Sequence, residues 1–163
     1  MLLPMLLAAG TASAEPEQMS QHPRVGELAE ITFSDRSARL TVDNNQQIGQ
    51  LAGWARENPD GLLVLDGHSA RTEQDGIQLS QKRAEAVRDE LVALGVDPSQ
   101  LVVAAFGNTG PHHGANRRVI VWGTHDQLAV VLTRLEDTGA RDIEPGTSPG
   151  RQPELPRPTL AGR

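Results

Sequence analysis

The sequence predicts an α+β fold in the order strand, helix, strand, helix, strand, strand, with one further helix after it. Three observations predict this fold. Short continuous apolar runs bounded by turn residues are typical of buried strands. Between these runs, apolar residues recur at helical spacing. Both helix-bearing connections are long enough to join parallel strands, whereas a loop alone joins the last two strands. We therefore expect a mixed sheet with helices packed on one face.

The first half of the fold is expected to contain two extended segments and a helix. Residues 30–33 are a strand candidate, and residues 38–42 continue as extended chain after a Ser-Asp-Arg-Ser turn. Asp43 or Asn44 can cap the helix that follows. The turn residues at 58–61 end this helix. Its apolar face consists of Ile48, Leu51, Ala52 and Ala55.

The second half is expected to contain three buried strands and a long helix. The strands are predicted at residues 62–65, 101–106 and 119–122, where the apolar runs lie. The helix is predicted from near residue 73 to residue 94, with Gly95 at its end. Its apolar face consists of Leu79 or Ser80, then Ala84, Val87, Leu91 and Leu94.

One further helix is expected within residues 124–138. Thr124 or His125 can cap it. Its apolar stripe consists of Leu128, Val131, Leu132 and Leu135. Such a stripe usually packs onto its own domain, and the alternative is a helix that binds a partner.

The two ends of the chain differ in composition from the domain expected at residues 29–123. An apolar run followed by Ala12-Ser13-Ala14 predicts a signal peptide at residues 1–14, and the alternative is a disordered apolar segment. Residues 15–28 are polar and are expected to form a flexible leader. Residues 139–163 hold five of the eleven prolines and predict a disordered tail that acts as a spacer, and the alternative is a tail that binds a protein partner.

The composition excludes several classes of protein. A net charge of -6 and an aromatic content of 2% argue against nucleic-acid binding. The absence of cysteine excludes disulfides, thiolate metal sites and a lipid-modified cysteine within this sequence. No segment after the N-terminal run predicts a transmembrane helix. The adjacent His112 and His113 predict an exposed pair rather than a metal site. We therefore expect no cofactor and no metal.

Catalysis is not predicted either. Asp66, His68 and Ser69 are the residue types of a hydrolytic set, but they are neighbours in the chain. Alternate strand residues face opposite ways, so these three side chains are not expected to converge on one substrate. His68 is expected to pack and to form hydrogen bonds at the strand end.

Arg83 is the residue of the long helix that most favours a binding site. It lies four residues from both Leu79 and Val87, so it borders the apolar stripe. Ligands of open α/β sheets collect at the carboxyl ends of strands, where His68 and Ser69 lie. An arginine there can direct its guanidinium at the carboxylate of a ligand. The alternative is a structural ion pair, with Asp66 or Asp75 as the partner.

Several ordered motifs resemble the OmpA-like (OmpA/MotB) C-terminal domain. The resemblance covers residues from about 30 to 123. The family pattern contains a Gly-His-Thr-Asp strand end, a Leu-Ser-x-x-Arg-Ala-x-x-Val helix and an Asn-Arg-Arg-Val segment. The matching residues are Gly67-His68, Leu79-Ser80, Arg83-Ala84, Val87, Gly95-Val96, Leu101, Gly107 and Asn116-Arg117-Arg118-Val119.

The resemblance implies an exported, non-enzymatic protein that binds peptidoglycan through its stem peptide. It would be periplasmic and associated with the outer membrane or the cell wall. In the family an aspartate and an arginine grip the diamino acid of the stem peptide; Arg83 matches the arginine, but Ala70 stands where the aspartate is expected. We expect Asp75 to replace that aspartate, with Glu73 as a weaker candidate. The ligand-binding residues implied are His68, Ser69, Asp75, Arg83, Asn116 and Arg117. The alternative is a protein-interaction module that keeps the scaffold and has lost glycan binding.

Overall fold

A computed structural model of the protein describes residues 26–109 and 117–147. These ranges contain five strands and three longer helices. A 3-10 turn at Pro98–Gln100 leads into the third strand. The elements are β1 (Gly26–Thr32), α1 (Val42–Glu57), β2 (Leu62–His68), α2 (Gly76–Ala93), β3 (Leu101–Gly107), β4 (Arg118–Thr124), α3 (Leu128–Asp137) and β5 (Asp142–Pro145).

The strands form one sheet in the order β1-β4-β2-β3-β5. β2 and β3 run parallel, because α2 carries the chain back between them, and the other neighbouring pairs are antiparallel. The predicted α+β class and mixed sheet are therefore confirmed. β3 is buried along its whole length, which explains its unbroken apolar sequence.

The two faces of the sheet carry separate apolar cores. α1 and α2 cover the first face, where Leu63 and Leu65 of β2 point. α3 covers the second face, where Val131 and Leu135 pack with Val64 of β2. Because neighbouring strand residues point to opposite faces, one short strand contributes to both cores. The two helices of the predicted βαβαββ unit, α1 and α2, therefore lie on one face as expected, and the additional helix α3 packs on the other.

The predicted helix starts differ from the observed ones. Thr41 is the N-cap of α1, where Asp43 or Asn44 was expected. The Thr41 hydroxyl accepts from the Asn44 backbone N–H at 3.3 Å, and Asn44 Oδ1 accepts from the Thr41 backbone N–H at 2.8 Å. Because this reciprocal pair fixes the first turn, residues 38–41 are not a strand. Gln127, rather than Thr124 or His125, precedes α3, since Thr124 still belongs to β4.

α2 begins at Gly76, later than the expected start near residue 73. Asp75, directly before it, has φ 52° and ψ 41°, a left-handed conformation that cannot belong to a right-handed helix. Residues 71–75 therefore form a separate turn between β2 and α2.

Part of the predicted C-terminal tail is ordered. Residues 142–145, which were expected to be disordered, form β5 and pair with β3 from Val102 to Ala105. At the other end, β1 already begins at Gly26, inside the predicted leader. The predicted signal peptide, most of the leader, the loop that includes His112, His113 and Asn116, and residues 148–163 lie outside the described residues.

Within the residues that the structure describes, none of the helices combines the length and the apolar character that a membrane crossing requires.

Candidate functional site

Close packing of α2 on β2 brings Arg83 to the carboxyl end of β2. Gly67, the next-to-last residue of β2, touches the helix so closely that an added Cβ would overlap the backbone carbonyl of Ser80. The Ser80 hydroxyl accepts from the backbone N–H of Gly107 at 3.0 Å and so also holds the helix to the end of β3. Arg83 follows one turn later and points toward the end of β2.

The guanidinium of Arg83 is fully buried, and all five of its N–H bonds are used. Three of them donate to backbone carbonyl oxygens: Nε to Ser37 at 2.8 Å, Nη1 to His68 at 3.1 Å and Nη2 to Ser34 at 3.2 Å. The remaining two donate to the carboxylate of Glu73, from Nη1 at 2.9 Å and from Nη2 at 2.6 Å. The guanidinium therefore offers no free donor to a ligand carboxylate in this conformation, and the alternative of a structural ion pair is what the structure contains.

The carboxylate of Glu73 is equally well satisfied. Besides the two bonds from Arg83, it accepts from the backbone N–H of Arg36 at 2.8 Å and of Ala70 at 2.7 Å. We call the donor set formed by the Arg83 guanidinium and these two backbone N–H groups the Arg83 cradle. Two bonds to each oxygen account for the usual accepting capacity of a carboxylate.

Glu73 is held in its ionised form by this cradle. Burial by itself would raise the pKa of the Glu73 carboxyl. The hydrogen bonds from Arg83, Ala70 and Arg36, together with the positive charge of Arg83, outweigh that effect and lower the pKa to about 2. The pair is thus charged on both sides at neutral pH.

The carboxylate partner of Arg83 is therefore Glu73, the weaker of the two candidates from the sequence, and not Asp75. Asp75 is exposed, and its side chain makes no capping hydrogen bond to α2. Asp66, the other expected partner, accepts a hydrogen bond from the Trp122 indole nitrogen at 2.9 Å instead. A structural ion pair of Arg83 was thus anticipated, but with the wrong acid.

Of the other predicted site residues, His68, Ser69 and Arg117 lie near the cradle without entering it. His68 stacks on Phe106 with ring centroids 5.2 Å apart, and its backbone carbonyl accepts from Arg83. Ser69 is buried, and its hydroxyl has no hydrogen-bond partner among the described residues. Arg117 Nη1 lies 3.4 Å from Asp35 Oδ1. Asp35 belongs to the turn between β1 and α1, whose backbone also binds Arg83. Asn116 is outside the described residues.

Sequence reasoning missed the contribution of the turn between β1 and α1. The backbone of Ser34, Arg36 and Ser37 supplies two acceptors to Arg83 and one donor to Glu73. The guanidinium also lies over the Phe33 ring, with Cζ 5.6 Å from the ring centroid. Backbone groups carry no sequence signal of their own, since any residue provides them. The positive φ of Arg36, 51°, is equally invisible in the sequence.

The chemistry of this arrangement is that of a set of donors that binds a carboxylate. Within residues 26–109 and 117–147, no cluster of three or more histidine, aspartate or glutamate side chains has a geometry that could hold a metal ion. The cradle consists of fixed donors directed at two oxygen atoms, and its neighbours supply backbone carbonyls. It can bind and orient a planar anion.

Comparison with known proteins gives one family. The sequence pattern of the OmpA family matches this chain over residues 32–119, which is more than half of its length. A peptidoglycan-associated lipoprotein of Brucella melitensis is 29% identical over 107 residues, which cover 64% of this chain and 63% of that protein. The peptidoglycan-binding protein ArfA of Mycobacterium tuberculosis is 29% identical over 83 residues, which cover 50% of this chain and 26% of that protein. The match thus spans less than two thirds of either relative.

Solved structures agree with the fold. The peptidoglycan-associated lipoprotein of Burkholderia pseudomallei superimposes with a TM-score of 0.51 at 26% identity and covers 57% of this chain and 88% of its own. The C-terminal domain of Helicobacter pylori MotB superimposes with a TM-score of 0.54 at 23% identity. The superposition covers 68% of this chain and 93% of the MotB domain. The second likeness concerns the fold alone.

Proposed function

The chain belongs to the OmpA family, and on that basis we propose that it binds peptidoglycan non-covalently in the periplasm and catalyses no reaction. Relatives named for their association with peptidoglycan support the proposal. The ligand in this proposal is the stem peptide, whose diamino acid ends in an ammonium and a carboxylate.

The buried pair of Arg83 and Glu73 is the observation that carries the proposal. Separating a buried ion pair is costly, because each ion loses its partner in a medium of low dielectric constant. A zwitterionic end can replace both partners at once: its carboxylate takes the place of Glu73 on Arg83, and its ammonium binds Glu73. A ligand with one charge would leave one ion of the pair unmatched. The pair therefore selects for the charge pattern of a diamino acid end, with Glu73 in the role that Asp75 was expected to fill.

A second function is favoured by the completeness of the same pair. Because every N–H of Arg83 is already bonded and both side chains are buried, the pair needs no ligand for its stability. A scaffold of this kind can serve as a protein-interaction module of the envelope that has lost glycan binding. The two functions differ in whether purified sacculi retain the protein.

A pull-down with purified sacculi tests the proposal. We expect the wild-type chain to sediment with sacculi, and Arg83→Lys and Glu73→Gln each to reduce the bound fraction at least tenfold. Arg83→Lys keeps the charge but loses the two-pronged contact with a carboxylate. Glu73→Gln keeps the shape but loses the negative charge that an ammonium requires.

Two neighbouring residues provide matched controls. Lys82→Gln removes an exposed positive charge one residue before Arg83, and Asp75→Asn removes an exposed negative charge two residues after Glu73. Both controls are expected to bind sacculi like the wild type. Circular dichroism establishes that each variant is folded. Failure of the wild type to sediment would favour the protein-interaction module. Equal binding by folded Arg83→Lys would instead mean that sacculi are bound without the contribution of Arg83, which contradicts the proposed site.

A further inference from the structure

We propose that the Arg83 cradle is a preformed carboxylate-binding site and that Glu73 is its internal occupant, which a ligand carboxylate has to displace. The inference rests on the proposed function only for the identity of the natural ligand. In the resting protein the site is closed by the chain's own side chain, and binding begins with movement of the turn that carries Glu73.

The cradle does not depend on Glu73 for its shape. Three of the five N–H groups of Arg83 are held by backbone carbonyls of Ser34, Ser37 and His68, which come from two different segments. These bonds leave free the edge of the guanidinium formed by one N–H of Nη1 and one of Nη2. That edge therefore keeps its orientation when Glu73 leaves, and the Phe33 ring supports the guanidinium from one face.

Glu73 is attached to the cradle mainly through its carboxylate. In the turn of residues 71–75, Glu73 alone is buried, and Arg71, Thr72, Gln74 and Asp75 are exposed. The backbone of Glu73 forms one hydrogen bond to the residues before the turn among those the structure describes. Its N–H donates to the Ala70 carbonyl at 3.1 Å. Segments whose residues are mostly exposed open locally at low cost, which favours outward movement of this turn.

Backbone strain is concentrated around the same site. Among the described residues, the non-glycine residues with positive φ are Arg36, Asp75 and Arg117. Arg36 donates to Glu73, Asp75 ends the turn that carries Glu73, and the Arg117 carbonyl accepts from Phe33 at 2.7 Å. Each such residue costs about 1–2 kcal/mol in general, and strain of this kind persists where the surroundings hold it, often at ligand clamps and switch segments.

The ligand class follows from the number and direction of the donors. Two N–H groups from the guanidinium and two from the backbone converge on two oxygen atoms of one planar group. This arrangement fits a carboxylate, and the buried walls leave it closed to solvent. Removing the side chain beyond Cβ, as in Glu73→Ala, deletes a methylene and a carboxylate, a fragment the size of acetate.

Chemical rescue with acetate tests the inference. We expect the midpoint temperature of Glu73→Ala to lie below that of the wild type. Sodium acetate should raise it in a saturable manner by about 4–8 °C beyond sodium chloride of equal ionic strength. The backbone amide resonances of Arg36 and Ala70 should shift in the same titration. Wild type and Glu73→Gln, whose side chains still fill the cradle, should show no response specific to acetate.

The outcomes separate this inference from the proposed function. If Glu73→Ala fails to fold in chloride, recovery of its circular dichroism spectrum in acetate supports the inference, and an unfolded chain in both salts overturns it. Equal responses to acetate and chloride, or an equal response by Glu73→Gln, also overturn it. Rescue by acetate in a chain whose wild type does not bind sacculi leaves the carboxylate site standing and removes the proposed function. Binding of the wild type to sacculi without rescue of Glu73→Ala by acetate leaves the proposed function standing and overturns the carboxylate site.

Discussion

Two buried carboxylates near the end of β2 differ in almost every respect except their burial. Glu73 is 7% exposed and Asp66 is 5% exposed. Glu73 accepts four hydrogen bonds, two of them from a cation, and its pKa is lowered to about 2. Asp66 lies on the other face of the sheet and accepts one hydrogen bond, from Trp122. Burial raises the pKa of Asp66 to about 7, and the bond from Trp122 offsets this only in part.

The two acids differ in their partners: Glu73 faces a cation and accepts four hydrogen bonds, whereas Asp66 accepts one hydrogen bond from a neutral donor. The donors of the Arg83 cradle replace the water that Glu73 loses, so its ionised form is favoured. Oδ1 of Asp66 has no hydrogen-bond partner among the described residues, so its ionised form is disfavoured. One face of the sheet thus stabilises a charge, and the other face opposes one.

The largest expected effect on stability comes from removing Arg83, the cation that faces Glu73. Arg83→Met leaves the Glu73 carboxylate buried without its main partner, and we expect the free energy of unfolding at pH 7 to fall by about 3–5 kcal/mol. Urea unfolding measures the loss. The exposed neighbour Lys82→Met should change it by no more than about 0.5 kcal/mol.

A double variant sharpens that result. In Arg83→Met with Glu73→Leu both charges are absent, so most of the lost stability should return. If the double variant is as unstable as Arg83→Met alone, the loss comes from packing of the arginine stem and not from an unmatched charge.

The second effect has the opposite sign. Because the pKa of Asp66 is raised in the folded chain, its contribution to stability is fully present below pH 3.8 and falls as the pH rises to about 7. Asp66→Asn cannot ionise, so it should be more stable than the wild type by about 2–4 kcal/mol above pH 7, with the gain vanishing near pH 4. Thermal and urea unfolding between pH 4 and pH 8 measure this. A constant difference over that range would contradict the prediction.

The third effect appears only in acid. Because the pKa of Glu73 is lowered, its contribution is fully present above pH 4.5 and is lost as the pH falls toward 2. The advantage of the wild type over Glu73→Gln should therefore shrink by about 2–3 kcal/mol between pH 5 and pH 2. Asp75→Asn, with an exposed acid removed from the same turn, should not reproduce this change. An advantage that is independent of pH would mean that Glu73 acts by its shape alone.

The central elements of the fold were predictable because their signals are local. The apolar runs of β2 and β3 and the helical spacing of α2 identify these elements without knowledge of their partners. β5 was missed because Ile143 is the one aliphatic residue of this short strand and five prolines follow from residue 145 onward. Its pairing with β3 depends on the edge that β3 offers, which is a property of the folded sheet.

The site was predictable in part for the same reason. The position of Arg83 beside the apolar stripe indicated a guanidinium directed at a ligand carboxylate, with a structural ion pair as the alternative, and an ion pair is what the structure contains. Its partner depends on the left-handed conformation of Asp75, which ends the turn early and places Glu73 rather than Asp75 against the guanidinium. Asp66 was equally hidden, since within a run of buried strand residues its environment depends on which face it takes.

The strand β5 has a consequence for association between copies of this chain. Without it, β3 would form the margin of the sheet and present the unpaired amides and carbonyls of a fully apolar strand, a template for pairing with another molecule. With it, the margin is a strand of four residues that ends at Pro145, which has no N–H to donate. The C-terminal segment therefore shields the most aggregation-prone strand, and trimming the chain before residue 142 would expose it.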